Sequence, residues 1–246
     1  MLVRVILVDV NPKMIAAWQS TFAEQKEIEV ISGSMLAQQV SAWVTPTNSK
    51  GNMDGGLDGV IRKHFGAKIE KSVKQEIARL YKGDIPVGHA TCVETGADMP
   101  RYLISTPTMH QSSEDVSDTM NVALACCAAF QAVHMQNARV PGSIRSVALP
   151  GLGANTGKVP VEICADLMWT AYDLFRKHEF TDFGEMRSAL EDELGELGPT
   201  HGKAGPKGTG TQPKPKPQAA ASDFDDSEDD DDDDDDDEDD KDFDDH

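Results

Sequence analysis

Asn48 and Asp58 stand ten residues apart, on either side of a run that holds Gly51, Asp54, Gly55, Gly56 and Leu57. Before it, the apolar Ala42-Trp43-Val44 stops at Pro46. After it, Leu57, Val60, Ile61, His64 and Phe65 recur with helical spacing. The local reading is strand, glycine loop, helix. Such a loop lets backbone N–H groups approach a phosphate, and the helix N-terminus behind it favours negative charge. The same residues also fit a plain strand-to-helix turn with an Asp in the first helical turn, where the dipole favours it. A second apolar run, Ile144 to Leu149, enters another glycine loop, Pro150-Gly151-Leu152-Gly153-Ala154-Asn155-Thr156-Gly157-Lys158. Two such loops at one sheet edge could hold a diphosphate between them, because ligands of open α/β sheets sit at the carboxyl ends of strands.

The elements that must position these loops follow from periodicity. Strands are expected at Val3–Val8, Ile28–Ile31, Val40–Val44, His89–Glu94, Tyr102–Ser105 and Ile144–Leu149. Helices are expected from Asn11-Pro12 to Phe22, Leu57 to His64, Ile69 to Tyr81, Thr119 to Asn137, Pro160 to Lys177 and Phe183 to Leu194. A polar loop, His110 to Asp118, precedes the Ala-rich helix. Strands alternating with helices indicate an α/β layered fold with a largely parallel sheet.

Charge is unevenly placed along the 246 residues. Residues 222–246 hold 19 acids and one Lys, so the formal charge of −20 leaves about −2 for the rest. Residues 1–194 suffice for one domain with a full core to about residue 177. Gly, Pro, Lys and Thr dominate 195–221, a flexible linker partly extended by its prolines. Like charges from 222 onward repel and have no apolar surface to bury, which predicts a disordered tail. Cys92, Cys126, Cys127 and Cys164 lack metal-ligand spacing and read as reduced core residues. No metal site is expected, nor a signal peptide or membrane span, so a cytoplasmic location is expected.

The first loop resembles the signature of macro domains, which bind ADP-ribose: Asn48, then Gly55, Gly56, Leu57 and Asp58 ten positions on. Pro150 to Pro160 is similar to the family's other phosphate-gripping loop, and element order agrees from about residue 1 to 177. The wording PTNS…MDGG…PTM…PGLG is similar to a bacterial and phage-associated branch. The resemblance implies a three-layer α/β/α sandwich with a mixed, mostly parallel sheet. It also implies an ADP-ribose cleft with no cofactor, and an activity that hydrolyses ADP-ribosyl adducts of proteins or O-acetyl-ADP-ribose. By motif, Asn48 would hydrogen-bond the distal ribose and Asp58 would orient or deprotonate the attacking water. The residues around Asp54 and from Gly151 to Lys158 would wrap the diphosphate. An amide orients hydroxyls without adding charge, and a carboxylate accepts a proton from water.

Three positions depart from the family pattern. Gly33-Ser34-Met35 stands where relatives carry Gly-Asp-Ile, so Ser34 offers adenine an uncharged acceptor. Asp54 adds a carboxylate near the diphosphate, either weakening binding or serving as a second acid/base group. Ala154-Asn155-Thr156-Gly157 lacks the aromatic that packs on the distal ribose in hydrolytic relatives. Outside the loops, Asp9 ends a strand and fits either the cleft or a helix-entry turn. His64 fits a helix C-terminus, His110 is the histidine best placed to touch a substrate, and His89, His134, Trp43 and Trp169 read as structural.

The leading expectation is therefore an ADP-ribosyl hydrolase. The alternatives are a non-catalytic ADP-ribose reader or a protein that processes ADP-ribose-1″-phosphate. The acidic tail is either solubilising or a docking segment for a basic or DNA-binding protein. Direct contact with nucleic acid is not expected.

Overall fold

In the computed structural model, residues 3–197 are described; the 222–246 tail and all but the first three residues of the expected linker lie outside them. Six strands form one sheet: β1 (Arg4–Asp9), β2 (Ile28–Ser32), β3 (Ala42–Asn48), β4 (Thr91–Glu94), β5 (Tyr102–Met109) and β6 (Ser146–Leu149). Their order is β2-β1-β6-β3-β5-β4, and every pairing is parallel except β4 with β5. Six α-helices cover it: α1 (Pro12–Thr21), α2 (Gly56–Phe65), α3 (Ala67–Tyr81), α4 (Asn121–Arg139), α5 (Val161–Lys177) and α6 (Phe183–Leu197).

Strand alternation divides the core between the two faces. Val5, Leu7, Ala42, Val44, Val147 and Leu149 point to one cluster, which α1, α4, α5 and α6 cover. Their neighbours Ile6, Val8, Trp43 and Ala148 point to the other, under α2 and α3. With both faces covered, the strands are apolar in consecutive positions rather than alternating with polar ones. The three-layer α/β/α sandwich with a mixed, mostly parallel sheet is thus observed.

Two strands run further than the sequence pattern predicts. β3 continues through Pro46 to Asn48, and β5 through Pro107 to Met109. β6 pairs with β3 only at Ala42 and Trp43, so beyond Trp43 that flank of β3 has no strand partner. Pro46 still pairs with Thr106 of β5, and an open flank of this kind is the edge-like setting in which a strand tolerates proline. The extension carries Asn48 to the mouth of the sheet. At the C-terminus, α6 runs to Leu197, past the expected boundary at 194, with Met186 and Leu190 buried on its inner face and Leu194 packed against the core.

Candidate functional site

The carboxyl ends of β1, β2, β3, β5 and β6 open onto one cleft of about 550 Å³. Both glycine loops reach it. Asp54, Gly55, Gly56, Leu57 and Asp58 line one wall; Gly151, Gly153, Asn155, Thr156 and Gly157 line another. Asn48, Ser34 and Met35 also border it. Two expected residues do not: Leu152 is fully buried in the core beneath its loop, and Ala154 packs against that core. The second loop alternates, so that the side chains of 152 and 154 turn inward while the flanking positions face the cleft.

α2 begins inside the cleft. Its N-cap is Gly55, which supplies no side-chain hydrogen bond, and Gly56 opens the helix at φ 54°. The N–H groups of the first turn therefore lack a side-chain cap and are available to an anion, with the helix dipole behind them. Across from them, the second loop is held by close backbone packing. A Cβ on Gly157 would stand 2.7 Å from the Gly153 carbonyl oxygen and 2.7 Å from Val116 Cγ2. A Cβ on Gly151 would approach Met14 Sδ to 2.9 Å and Asp9 Oδ2 to 3.0 Å. Glycine is required at both positions by approach.

Asp58 sits at the third residue of α2 and is only 6 % exposed. The Thr45 hydroxyl donates to its Oδ1 at 2.5 Å. Burial pushes this carboxyl up to about 8; the Thr45 bond opposes the rise, and the negative charges of Asp54 and Glu70 add to it. At neutral pH Asp58 is mainly a carboxylic acid that can donate a hydrogen bond, and it becomes a base only at higher pH. Glu70 serves the loop instead: it accepts the Met53 N–H at 3.3 Å and is paired with Arg62 and Lys74, fixing the first loop to α3.

Asn48 is placed as expected but already engaged. Its Oδ1 accepts from Lys50 N at 3.0 Å and Asn52 N at 3.3 Å, and its Nδ2 donates to Ser112 Oγ at 3.1 Å and Asn52 O at 3.4 Å. A ligand hydroxyl must displace one of these partners. Ser34 is likewise used locally, capping the 3-10 turn Met35–Ala37 by accepting Leu36 N at 3.2 Å.

The loop 110–118 contributes more than its polarity suggests. Ser112 and Ser113 line the cleft, Val116 N donates to the Gly157 carbonyl at 3.0 Å, and Lys158 pairs with Asp115 at 3.2 Å. It ties the two glycine loops together through Asn48 on one side and Gly157 on the other. His110 itself is exposed, outside the lining, with Nδ1 3.3 Å from Ser49 Oγ. His64 stacks near Trp43 and Phe65 at the far end of α2.

Asp9 also lines the cleft, accepting Asn11 N at 2.8 Å and Gly151 N at 3.1 Å. It fills both expected roles, turning the chain into α1 and holding the second loop. Sequence pattern does not reveal the Asp9–Gly151 contact, because the partners are 142 residues apart. Val10, 76 % exposed on the same rim, is the most exposed large apolar side chain of the described residues. No lining side chain is Lys or Arg, so an anion here relies on backbone groups.

A second cavity, about 380 Å³, lies beside the edge strand β4 and is lined mainly by apolar side chains with Tyr81, His89 and Phe183. It contains neither expected glycine loop. Burial pushes the Cys92 thiol at its wall up to about 12, and Cys126, Cys127 and Cys164 are free and buried. Among the described residues, no cluster of three or more His, Cys, Asp or Glu could hold a metal, and no helix is long and apolar enough to cross a membrane.

Comparison with known proteins gives consistent matches. A family model described as Macro domain matches residues 44–168. An uncharacterized protein of Aquifex aeolicus is 31% identical over 142 residues, which are 58% of this chain and 78% of that protein. Among solved structures, the macrodomain of Mycobacterium tuberculosis DarG is 22% identical with a TM-score of 0.50, covering 59% of this chain and 89% of its own. The Oceanobacillus iheyensis macrodomain with ADP is 14% identical with a TM-score of 0.50, covering 67% and 90%. At these identities the two structures establish a shared fold.

Proposed function

This chain belongs to the macro domain family, and from that premise we propose that its cleft binds ADP-ribose and that the bound group is an ADP-ribosyl adduct, which the protein hydrolyses. One observation carries the binding: the uncapped first turn of α2 and the Gly153–Gly157 loop face a single cavity large enough for a dinucleotide-sized ligand. Backbone N–H groups bind the diphosphate without a cationic side chain. The ADP in the Oceanobacillus iheyensis macrodomain supports the same ligand class.

The hydrolytic reading rests on Asp58, a buried carboxyl at the base of the cleft whose proton is held to about pH 8. In that state it donates to an oxygen of the ligand and positions the reacting sugar. Once ionised, it orients and deprotonates the attacking water. The lining disfavours an additional terminal phosphate: Asp9, Asp54 and Asp58 contribute carboxyl groups, and no Lys or Arg offsets them. An ADP-ribosyl ester or glycoside therefore fits better than ADP-ribose-1″-phosphate.

Calorimetric titration of the full chain with ADP-ribose, ADP and AMP tests the binding. Gly55→Leu is the matched control, because Gly55 has an extended φ of −154° and nothing within 4 Å of an added Cβ. The variant should fold normally and lose binding by filling the cleft. Equal affinity in both proteins would place the ligand elsewhere.

A further inference from the structure

The second cavity shares no lining residue with the cleft. It fills the gap beside β4, an edge strand that pairs only with β5. α3 borders the gap with Glu76, Leu80 and Tyr81. α4 borders it with Ala132, Met135, Gln136 and Arg139, whose spacing of i, i+3, i+4 and i+7 makes one stripe. From Ala132 to Arg139 that stripe is about 10 Å long at 1.5 Å per residue.

The two ends of the cavity differ. At one end the His89 ring packs 5.4 Å from Tyr81 and 4.9 Å from Phe183. The Thr106 hydroxyl reaches both the His89 carbonyl and that of Ala125, about two turns before Ala132 on α4, so His89 lies at the end away from Arg139. Thr91 is 1 % exposed, and neither its hydroxyl nor His89 Nδ1 has a hydrogen-bond partner among the described residues. Buried polar atoms are normally paired, yet two of the four that are not belong to the wall of this one cavity. Burial, aided by the Arg187 charge, lowers the His89 pKa and favours a neutral ring with one nitrogen able to accept.

At the other end one charge is left over. Glu76 is held by Arg79 at 2.7 Å and Glu94 by Arg101 at 3.0 Å. The third nearby acid, Asp182, caps α6 by accepting the Gly184 and Glu185 N–H groups. Arg139 is exposed and takes part in no ion pair among the described residues. Its charge reaches Glu76, whose carboxyl Arg79 first and Arg139 after it hold below the ordinary value. Two guanidinium groups thus surround one carboxylate, and an anion completes the set.

We propose that this cavity binds a flat aromatic carboxylate, with its rings against Leu80, Ala132 and Met135, a hydroxyl or ring N–H at one end meeting His89 and Thr91, and the carboxylate at the other end paired with Arg139. The size agrees: an apolar cavity of about 150 Å³ already accepts benzene, so 380 Å³ holds two fused rings. A ligand hydroxyl can donate to the imidazole and accept from Thr91, which supplies both missing partners.

The test is fluorescence titration of the full chain with 6-hydroxy-2-naphthoate and with its neutral carboxamide. Saturable binding of the acid, about tenfold tighter than that of the carboxamide, is expected. Arg139→Gln should abolish that difference and leave carboxamide affinity unchanged. Thr91→Val deletes a hydroxyl that pairs with nothing in the protein, so the variant should fold as the parent does. It should bind the hydroxylated probe several-fold more weakly and 2-naphthoate as before. No saturable binding at millimolar probe overturns the proposal, as does equal affinity for acid and carboxamide in the parent, or a difference that survives Arg139→Gln. Displacement of the probe by ADP-ribose also overturns it, by placing the probe in the cleft.

Discussion

Replacing Asp58 by Asn isolates the electrostatic consequence of burying a carboxyl at the N-terminus of α2. The folded protein holds this proton to about pH 8, against an ordinary value of 3.8. At 1.36 kcal/mol per pH unit the difference corresponds to roughly 5–6 kcal/mol; the helix dipole, which favours the ionised form by about 0.3–1 kcal/mol, is the smaller effect. The folded value lies above the unfolded one, so between them the folded state binds more protons. Stability from this group is therefore fully present below the unfolded value and is lost as pH rises through about 8. The substituted amide would not titrate, and Thr45 can still donate to its carbonyl oxygen. The stability gap in favour of the variant should widen by about 3–4 kcal/mol between pH 5 and pH 8, growing by about 1.36 kcal/mol per unit. Urea unfolding at several pH values measures this directly. A difference that stays flat from pH 5 to 9 would refute the claim that Asp58 is protonated in the folded protein, and with it the donor role proposed at neutral pH.

Gly157→Ala should lower unfolding stability by about 1–3 kcal/mol, because its Cβ meets both the Gly153 carbonyl and Val116 at 2.7 Å; thermal unfolding with and without ADP-ribose reads the effect. Ser112→Ala releases one of the Asn48 Nδ2 bonds, a contact worth about 1 kcal/mol. If Asn48 turns to a ligand hydroxyl, titration should show several-fold tighter ADP-ribose binding, and weaker binding would mean that Ser112 itself touches the ligand.

The glycine loops and the alternation of elements, hence an α/β layered fold, were legible because each is written locally; the three-layer sandwich came with the family resemblance. β-branched runs, capping residues and glycines declare themselves within a few positions, and Asn48, Gly55 and Asp58 lie on one continuous stretch. What was not legible depends on contacts across the chain. Pro46 ends a strand in the ordinary case, and only the short β3–β6 pairing shows why it does not here. Leu152 and Ala154 sit in a loop read as ligand-facing throughout, yet the core beneath the loop claims them. The clamp by residues 110–118 required knowing that Val116 packs between Gly153 and Gly157, and no spacing announces it.

The same contrast governs Asn48 and Asp58. Motif position assigns both to chemistry, but their surroundings decide what chemistry each can do. Asn48 spends its amide on the loop that carries it, so any role toward a ligand is coupled to release of Ser112 or Asn52. Asp58 is in reach of Thr45 and of two other acids, with no cation bound to it, so it enters neutral solution as a proton donor. On the proposed function the two residues would therefore act in sequence rather than as a fixed pair: a ligand would first draw Asn48 from its loop, and a seated diphosphate, by adding negative charge near α2, would then strengthen the hold of Asp58 on its proton. ADP-ribose binding should accordingly take up protons above pH 7, which calorimetry in buffers of different ionisation enthalpy would detect; binding without proton uptake at pH 8 would separate the diphosphate site from Asp58.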